Sequence, residues 1–108
     1  MNEADKIRQV MRIREQVVPA DRRWMNCVRF SAANSKEHEI KKAEICFELT
    51  KNNNYFITEA RFINGGRCDI LSLTEENGIC YEIVHSESEK SILKKQSRYP
   101  FPLVIIKA

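Results

Sequence analysis

The chain lacks any apolar run near the roughly 20 residues that span a bilayer, so no membrane segment is expected. Its first dozen residues carry charges where a secretory leader needs an apolar stretch, so export is not expected either. Glycine is scarce, at three in 108 residues, and no Gly-rich phosphate loop exists. Only two histidines occur, His38 and His85, which excludes a His-rich metal site. Both are expected in structural or surface roles. The four cysteines, Cys27, Cys46, Cys68 and Cys80, never show the C-x2-C spacing of a zinc site. Each sits among apolar neighbours, so buried free thiols in a reducing cytoplasm are expected. No Cys-His-Asp arrangement supports a nucleophilic thiol. No internal repeat is visible.

What remains is ordinary in bulk and uneven in distribution. A chain of 108 residues, 43% apolar and 31% charged, suits one soluble α/β domain. The net charge is +3, and all of it lies in the first third. Residues 1–33 hold seven basic and four acidic side chains, whereas residues 34–108 hold eleven of each. The sequence therefore divides into a basic helical extension, 1–33, and a charge-balanced core, 34–108. Arg12, Arg22 and Arg23 in the extension, with Arg67 in the core, are candidate phosphate contacts. A solvated basic helix would look the same. Trp24 is expected to dock the extension on the core.

Local signals set the element order. Asn2 can cap a first helix that Pro19 ends. Asp21 to Arg29 reads as a short second helix or an irregular stretch, and Ser35 can cap the next helix, which runs to about Lys51 with Ile40, Ala43, Cys46 and Phe47 turned inward. The run Asn52-Asn53-Asn54 stops it. Strands follow at Tyr55 to Phe62, Cys68 to Leu73 and Ile79 to His85. Asn64-Gly65-Gly66 and Glu76-Asn77-Gly78 join them as tight turns. Ser86 to Ser97 reads as a helix, with Ser86, Glu87 and Glu89 suiting its N-terminus. Leu103 to Ile106 forms a last, wholly apolar strand, expected to be covered on both faces and to pair in parallel. The expectation is a mixed four-stranded sheet flanked by helices.

Two acids disturb this sheet. Asp69 and Glu82 each sit in an otherwise apolar strand, where burying them unpaired is costly. Carboxylates converging across neighbouring strands can hold a hard divalent cation such as Mg²⁺, with water and phosphate oxygens completing its shell. Glu59 on the first strand can join them. Alternatively, these acids pair with Arg61, Arg67 or Lys107 at strand ends.

The order from Ser35 onward, α-β-β-β-α-β, resembles the common core of the PD-(D/E)xK, or restriction-endonuclease-like, nuclease superfamily. Gly65-Gly66-Arg67-Cys68-Asp69-Ile70 resembles that family's second motif, and Tyr81-Glu82-Ile83-Val84 its third. Glu37-His38-x3-Lys42 is similar to a helix start in some of its branches. The resemblance implies hydrolysis of DNA phosphodiesters with Mg²⁺ or Mn²⁺, Asp69 and Glu82 holding the metal, and often a homodimer. Glu59 or a first-helix residue (Glu37, Glu39, Glu44 or Lys42) would assist. The sequence departs from the family at Val84, where the third motif has lysine. Either Lys94 on the next helix replaces that lysine, or the fold persists as a catalytically inactive DNA-binding or assembly module. A homodimeric interaction protein, joined through residues 1–33, is a further alternative.

Overall fold

The computed structural model describes residues 2–85, 91, 92, 94 and 98–108. Helix α1 spans Glu3–Arg14. Its cap is Asn2, whose side chain accepts from the Asp5 N–H at 2.8 Å. The sequence pattern has Pro19 ending α1, but α1 already ends at Arg14. Pro19 opens a short helix α2, Pro19–Arg22, at a position where its missing N–H costs nothing. Helix α3 spans Lys36–Lys51, capped by Ser35, whose hydroxyl accepts from the His38 N–H. It stops at Asn52, and Asn53 takes the left-handed backbone.

Four strands follow: β1 Phe56–Arg61, β2 Arg67–Ser72, β3 Ile79–Val84 and β4 Leu103–Lys107. They form one sheet in the order β1-β2-β3-β4. The β1–β2 and β2–β3 pairs are antiparallel and the β3–β4 pair is parallel, so the fold is α/β with a mixed four-stranded sheet. Most of the connection between β3 and β4 lies outside the described residues, and with it most of the helix expected at Ser86 to Ser97; Ser91, Ile92 and Lys94 are helical. The last strand departs from expectation. It is the edge of the sheet, and Val104 is 37% exposed rather than covered.

The core has two parts, one on each sheet face. Val10, Ile13 and Val17 pack with Ile57, Ala60, Cys68, Leu71 and Cys80. Residues of the first 33 thus help build this larger cluster. Cys46 and Leu49 of α3 pack on Phe56 and Ile70 from the other side. The N-terminal segment also lies along the free edge of β1. Val17 bridges Phe62, Met25 bridges Ile57, and the Val18 and Asn26 N–H groups donate to Arg61 and Phe56 carbonyls. Asp21, buried beside this edge, accepts three hydrogen bonds from Arg61, two from the guanidinium and one from the backbone N–H. Burial pushes its carboxyl up, but the Arg61 hydrogen bonds prevail and hold it below the usual range.

Helix α3 is rotated from the orientation its apolar pattern suggests. Lys42, Cys46 and Leu49 face inward. Ile40 and Phe47, expected in the core, are 48% and 66% exposed. The reason is Lys42, which finds its carboxylate partners beneath the helix. Of the cysteines, Cys46, Cys68 and Cys80 are buried as expected, and Cys27 is exposed.

The turn into β3 tests the packing between layers. Gly78 has φ +104°, and an added Cβ would meet both Ile13 and Phe101 at 3.0 Å. Gly78→Ala is therefore expected to destabilise the fold by about 1–3 kcal/mol, through backbone strain and crowding together. Urea unfolding measures this, and an unchanged midpoint would contradict it.

Candidate active site at the fork between two strands

The β2–β3 ladder is short. Its register pairs Ile70 with Tyr81, Leu71 with Cys80 and Ser72 with Ile79. Both strands run further, β2 back to Arg67 and β3 on to Val84. Beyond Ile70 and Tyr81 the two part, and the acidic side chains occupy the fork. Asp69 Oδ2 accepts from the Ile83 N–H at 2.7 Å. Glu82 Oε2 accepts from the Asp69 N–H at 3.4 Å. Side-chain carboxylates here stand in for the missing ladder carbonyls, which keeps buried N–H groups satisfied.

A second irregularity aims the acids. Ile57 and Ala60 share one core cluster although they stand three positions apart, and so do Cys68 and Leu71. Regular strands alternate faces with period two. The alternation slips at Glu59 and Asp69, which drop out of the β1–β2 register between Thr58↔Ile70 and Ala60↔Cys68. Glu59 has φ +51°, a left-handed backbone that is rare for a residue with a side chain. Such strain costs of order 1–3 kcal/mol and persists only where the surroundings enforce it. The slip brings Glu59 and Asp69 under α3.

The first turns of α3 complete the cluster. Lys42 is fully buried, and its Nζ donates to Glu59 Oε1 at 2.6 Å and Glu39 Oε2 at 2.9 Å. It also donates to the Arg29 carbonyl at 3.1 Å. Burial pulls its pKa down, yet Glu59 and Glu39 outweigh burial and hold it above the usual lysine value. His38 bridges two acids, with Nδ1 at 2.9 Å from Glu39 and Nε2 at 3.2 Å from Asp69. Glu39 also accepts from the Ser31 N–H and the Asn34 amide.

These contacts have opposite effects on two carboxylates. Burial pushes Glu39 up, but hydrogen bonds from Lys42, Ser31, Asn34 and His38 win and hold it at about 2. Burial pushes Asp69 up and prevails, although the Ile83 N–H and His38 oppose it. The pH dependence follows in sign. Glu39, depressed on folding, adds stability above the ordinary carboxylate pKa of about 4.5, and that stability is lost as pH falls toward about 2. Asp69, raised on folding, contributes the opposite slope as it protonates. Urea unfolding across this range should therefore show a steeper acid loss in the wild type than in Glu39→Gln; equal slopes would remove Glu39 as the cause.

The fork opens into a cleft of about 220 Å³ lined by Gly65, Gly66, Arg67, Asp69, Glu82, Arg98 and Tyr99. The Tyr99 hydroxyl lies 2.6 Å from the Arg67 carbonyl and 3.1 Å from Glu82 Oε2. Burial, then the Glu82 charge, raises the Tyr99 phenol, so it remains a donor. Asp69 and Glu82 thus share one small cleft with Arg67 and Arg98. Glu59 Oε2 is buried without a hydrogen-bond partner and lies 3.6 Å from Arg67 Nε.

The residues singled out from sequence separate accordingly. Asp69 and Glu82 meet in the cleft, and Glu59 lies beside them. Of the first-helix candidates, Glu39 and Lys42 belong to the cluster, while Glu37 is exposed and Glu44 pairs with Lys41 on the outer surface. Val84 is buried in β3 and Lys94 is exposed. Arg67 lines the cleft. Arg22 donates to the Val17 carbonyl, Arg23 stacks on Trp24, and Arg12 lines a separate surface hollow with Ile13, Gln16, Pro100 and Phe101. His38, Arg98 and Tyr99 were not expected in the site. For His38 a signal existed: with Lys42 four residues on, it shares one helix face.

Among the described residues, no three His, Cys, Asp or Glu side chains are grouped as a ready-made metal cage. Mg²⁺ does not need one, because one or two carboxylates suffice when water and phosphate oxygens supply the rest. The desolvated Asp69, beside Glu82, fits that limited role. No helix among the described residues is long and apolar enough to cross a membrane. No protein-family model matches the chain, and no curated protein or solved structure does so.

Proposed function

We propose that this chain is a DNA-processing protein with a restriction-endonuclease-like core, which hydrolyses phosphodiester bonds with Mg²⁺ or Mn²⁺. The observation that carries this reading is the fork, where Asp69 and Glu82 share one cleft with Arg67 and Arg98. The order α3-β1-β2-β3-β4 supports it, with the connecting helix only partly described. Asp69 and Glu82 would hold the metal. His38 orients Asp69 through its Nε2 contact. Arg67 and Arg98 bind the phosphate, and their donors complement its oxygens. Bound there, Mg²⁺ or Mn²⁺ would supply positive charge at the phosphate and help activate water for attack. Lys42 is held by two carboxylates and a carbonyl and stays protonated, which leaves Lys94 as the candidate for the lysine missing at Val84. The free thiols suit a reducing cytoplasm.

Val84 favours a second reading. It is buried and apolar where the resemblance calls for a cation, so the chain would bind DNA without cutting it. One assay separates the two. Purified protein is incubated with plasmid and branched DNA in Mg²⁺ and in Mn²⁺, beside Asp69→Asn and Glu82→Gln. The nuclease reading expects cleavage that falls at least about a hundredfold in each variant. A salt-sensitive gel shift without cleavage establishes the binding module instead. Neither cleavage nor a shift overturns both.

A further inference from the structure

The rotation of α3 leaves a surface that the fold does not use. Phe30, Ile40 and Phe47 are 65%, 48% and 66% exposed. With Ala43 they form the floor of an open groove of about 750 Å³, edged by Lys36, Glu39, Glu44 and Glu48. Ile40, Ala43 and Phe47 follow helical spacing along one stripe. The helix therefore carries two inward-type faces: one holds Lys42, Cys46 and Leu49 against the sheet, and the other faces solvent. A contiguous exposed apolar stripe with a polar rim marks an interaction surface.

We propose that this groove is the interface of a homodimer, formed by α3 packing antiparallel on α3 of a second copy. The choice of occupant rests on charge. On the rim, Lys36 stands at the N-terminal end and Glu48 toward the C-terminal end, while Glu39 turns its carboxylate to Lys42 and Glu44 pairs with Lys41. A groove with that polarity complements its own copy when turned by a twofold axis, because each positive end meets the other copy's negative end. Such isologous contact is the commonest symmetry of oligomers. A twofold near Ala43 lays Ile40 against Phe47 of the second copy, twice. Ala43, the smallest side chain of the stripe, sits at the crossing and lets the helices approach. Lys36 then lies about 4.5 Å along the axis from Glu48 of the second copy, within side-chain reach. The antiparallel arrangement also opposes the two helix dipoles favourably.

This interface goes beyond the proposed function and differs from one built on residues 1–33. The groove touches the site at one residue, Glu39, which lines its edge and whose carboxylate binds Lys42. The cleft of Asp69 and Glu82 is lined by other residues, so it stays open in the dimer.

The test uses the full chain. Sedimentation at micromolar concentration should give a dimer, and Phe47→Glu should weaken its dissociation constant at least about tenfold. Phe47 is exposed, so the variant should keep the wild-type circular dichroism and melting temperature. A second arm reads the geometry. In a Cys27→Ser background, Ala43→Cys sits on the axis and should cross-link to its copy under mild oxidation. Glu37→Cys should not, because its two copies would lie roughly 20 Å apart along the helices. A wild type that sediments as a monomer overturns the proposal and leaves the groove to a different partner. So does a dimer unaffected by Phe47→Glu and Ile40→Glu, or equal cross-linking of Ala43→Cys and Glu37→Cys.

Discussion

Lys42→Met is expected to destabilise the protein by about 3–5 kcal/mol, a large fraction of the stability of a domain this size. The cost does not come from lost attraction alone. Methionine fills much of the same space, so packing changes little. What changes is that Glu39 and Glu59, both mostly buried, lose the ammonium between them. Two like charges then face each other in a poor solvent, and the left-handed backbone at Glu59 loses the contact that enforces it. Urea unfolding reads the loss. The triple variant Lys42→Met, Glu39→Gln, Glu59→Gln removes the charges together and should recover most of it, because a buried ion cluster replaced as a unit is often neutral. A single-variant loss below about 1 kcal/mol would mean that the cluster is solvated and the helix rotation has another cause.

Asp69→Asn is expected to move stability and function in opposite directions. Asparagine keeps the size of the side chain and an acceptor oxygen for the Ile83 N–H. It removes a charge that burial disfavours in the folded state. The melting temperature should therefore hold or rise. On the proposed function, metal-dependent cleavage should fall at least about a hundredfold, since one of two metal-holding carboxylates is gone. A variant that melts earlier than the wild type would show that the Asp69 charge stabilises the fork, most directly through His38. A function-first site, by contrast, tolerates a destabilising charge for the sake of what it binds.

Most of the fold was legible because its signals are local. Asn2 and Ser35 cap their helices with the donors expected of them, and Asn64-Gly65-Gly66 turns β1 into β2. Asp69 and Glu82 stood out because acids in apolar strands are conspicuous. What escaped depends on contacts between distant segments. The pattern of α3 pointed Ile40 and Phe47 inward because apolar residues normally go inward. The lysine that overrules it needs Glu59, from a different element, delivered by a backbone kink that no residue type announces. The slip in alternation at Glu59 and Asp69 is hidden for the same reason, since period two assumes an unbroken strand. Arg98 and Tyr99 reach the cleft only because the chain after β3 returns beside β2.

The covering of β1 by residues 17–26 has a consequence for solubility. A sheet edge with unpaired N–H and C=O groups is a template for other chains. Here Val18, Asn26 and two bridges occupy that edge, and the Asp21–Arg61 contact pins the segment in place. The N-terminal stretch therefore acts as a guard against stacking of sheets between molecules. What that duty requires is the backbone path of the segment, which Arg22 helps fix by donating to the Val17 carbonyl.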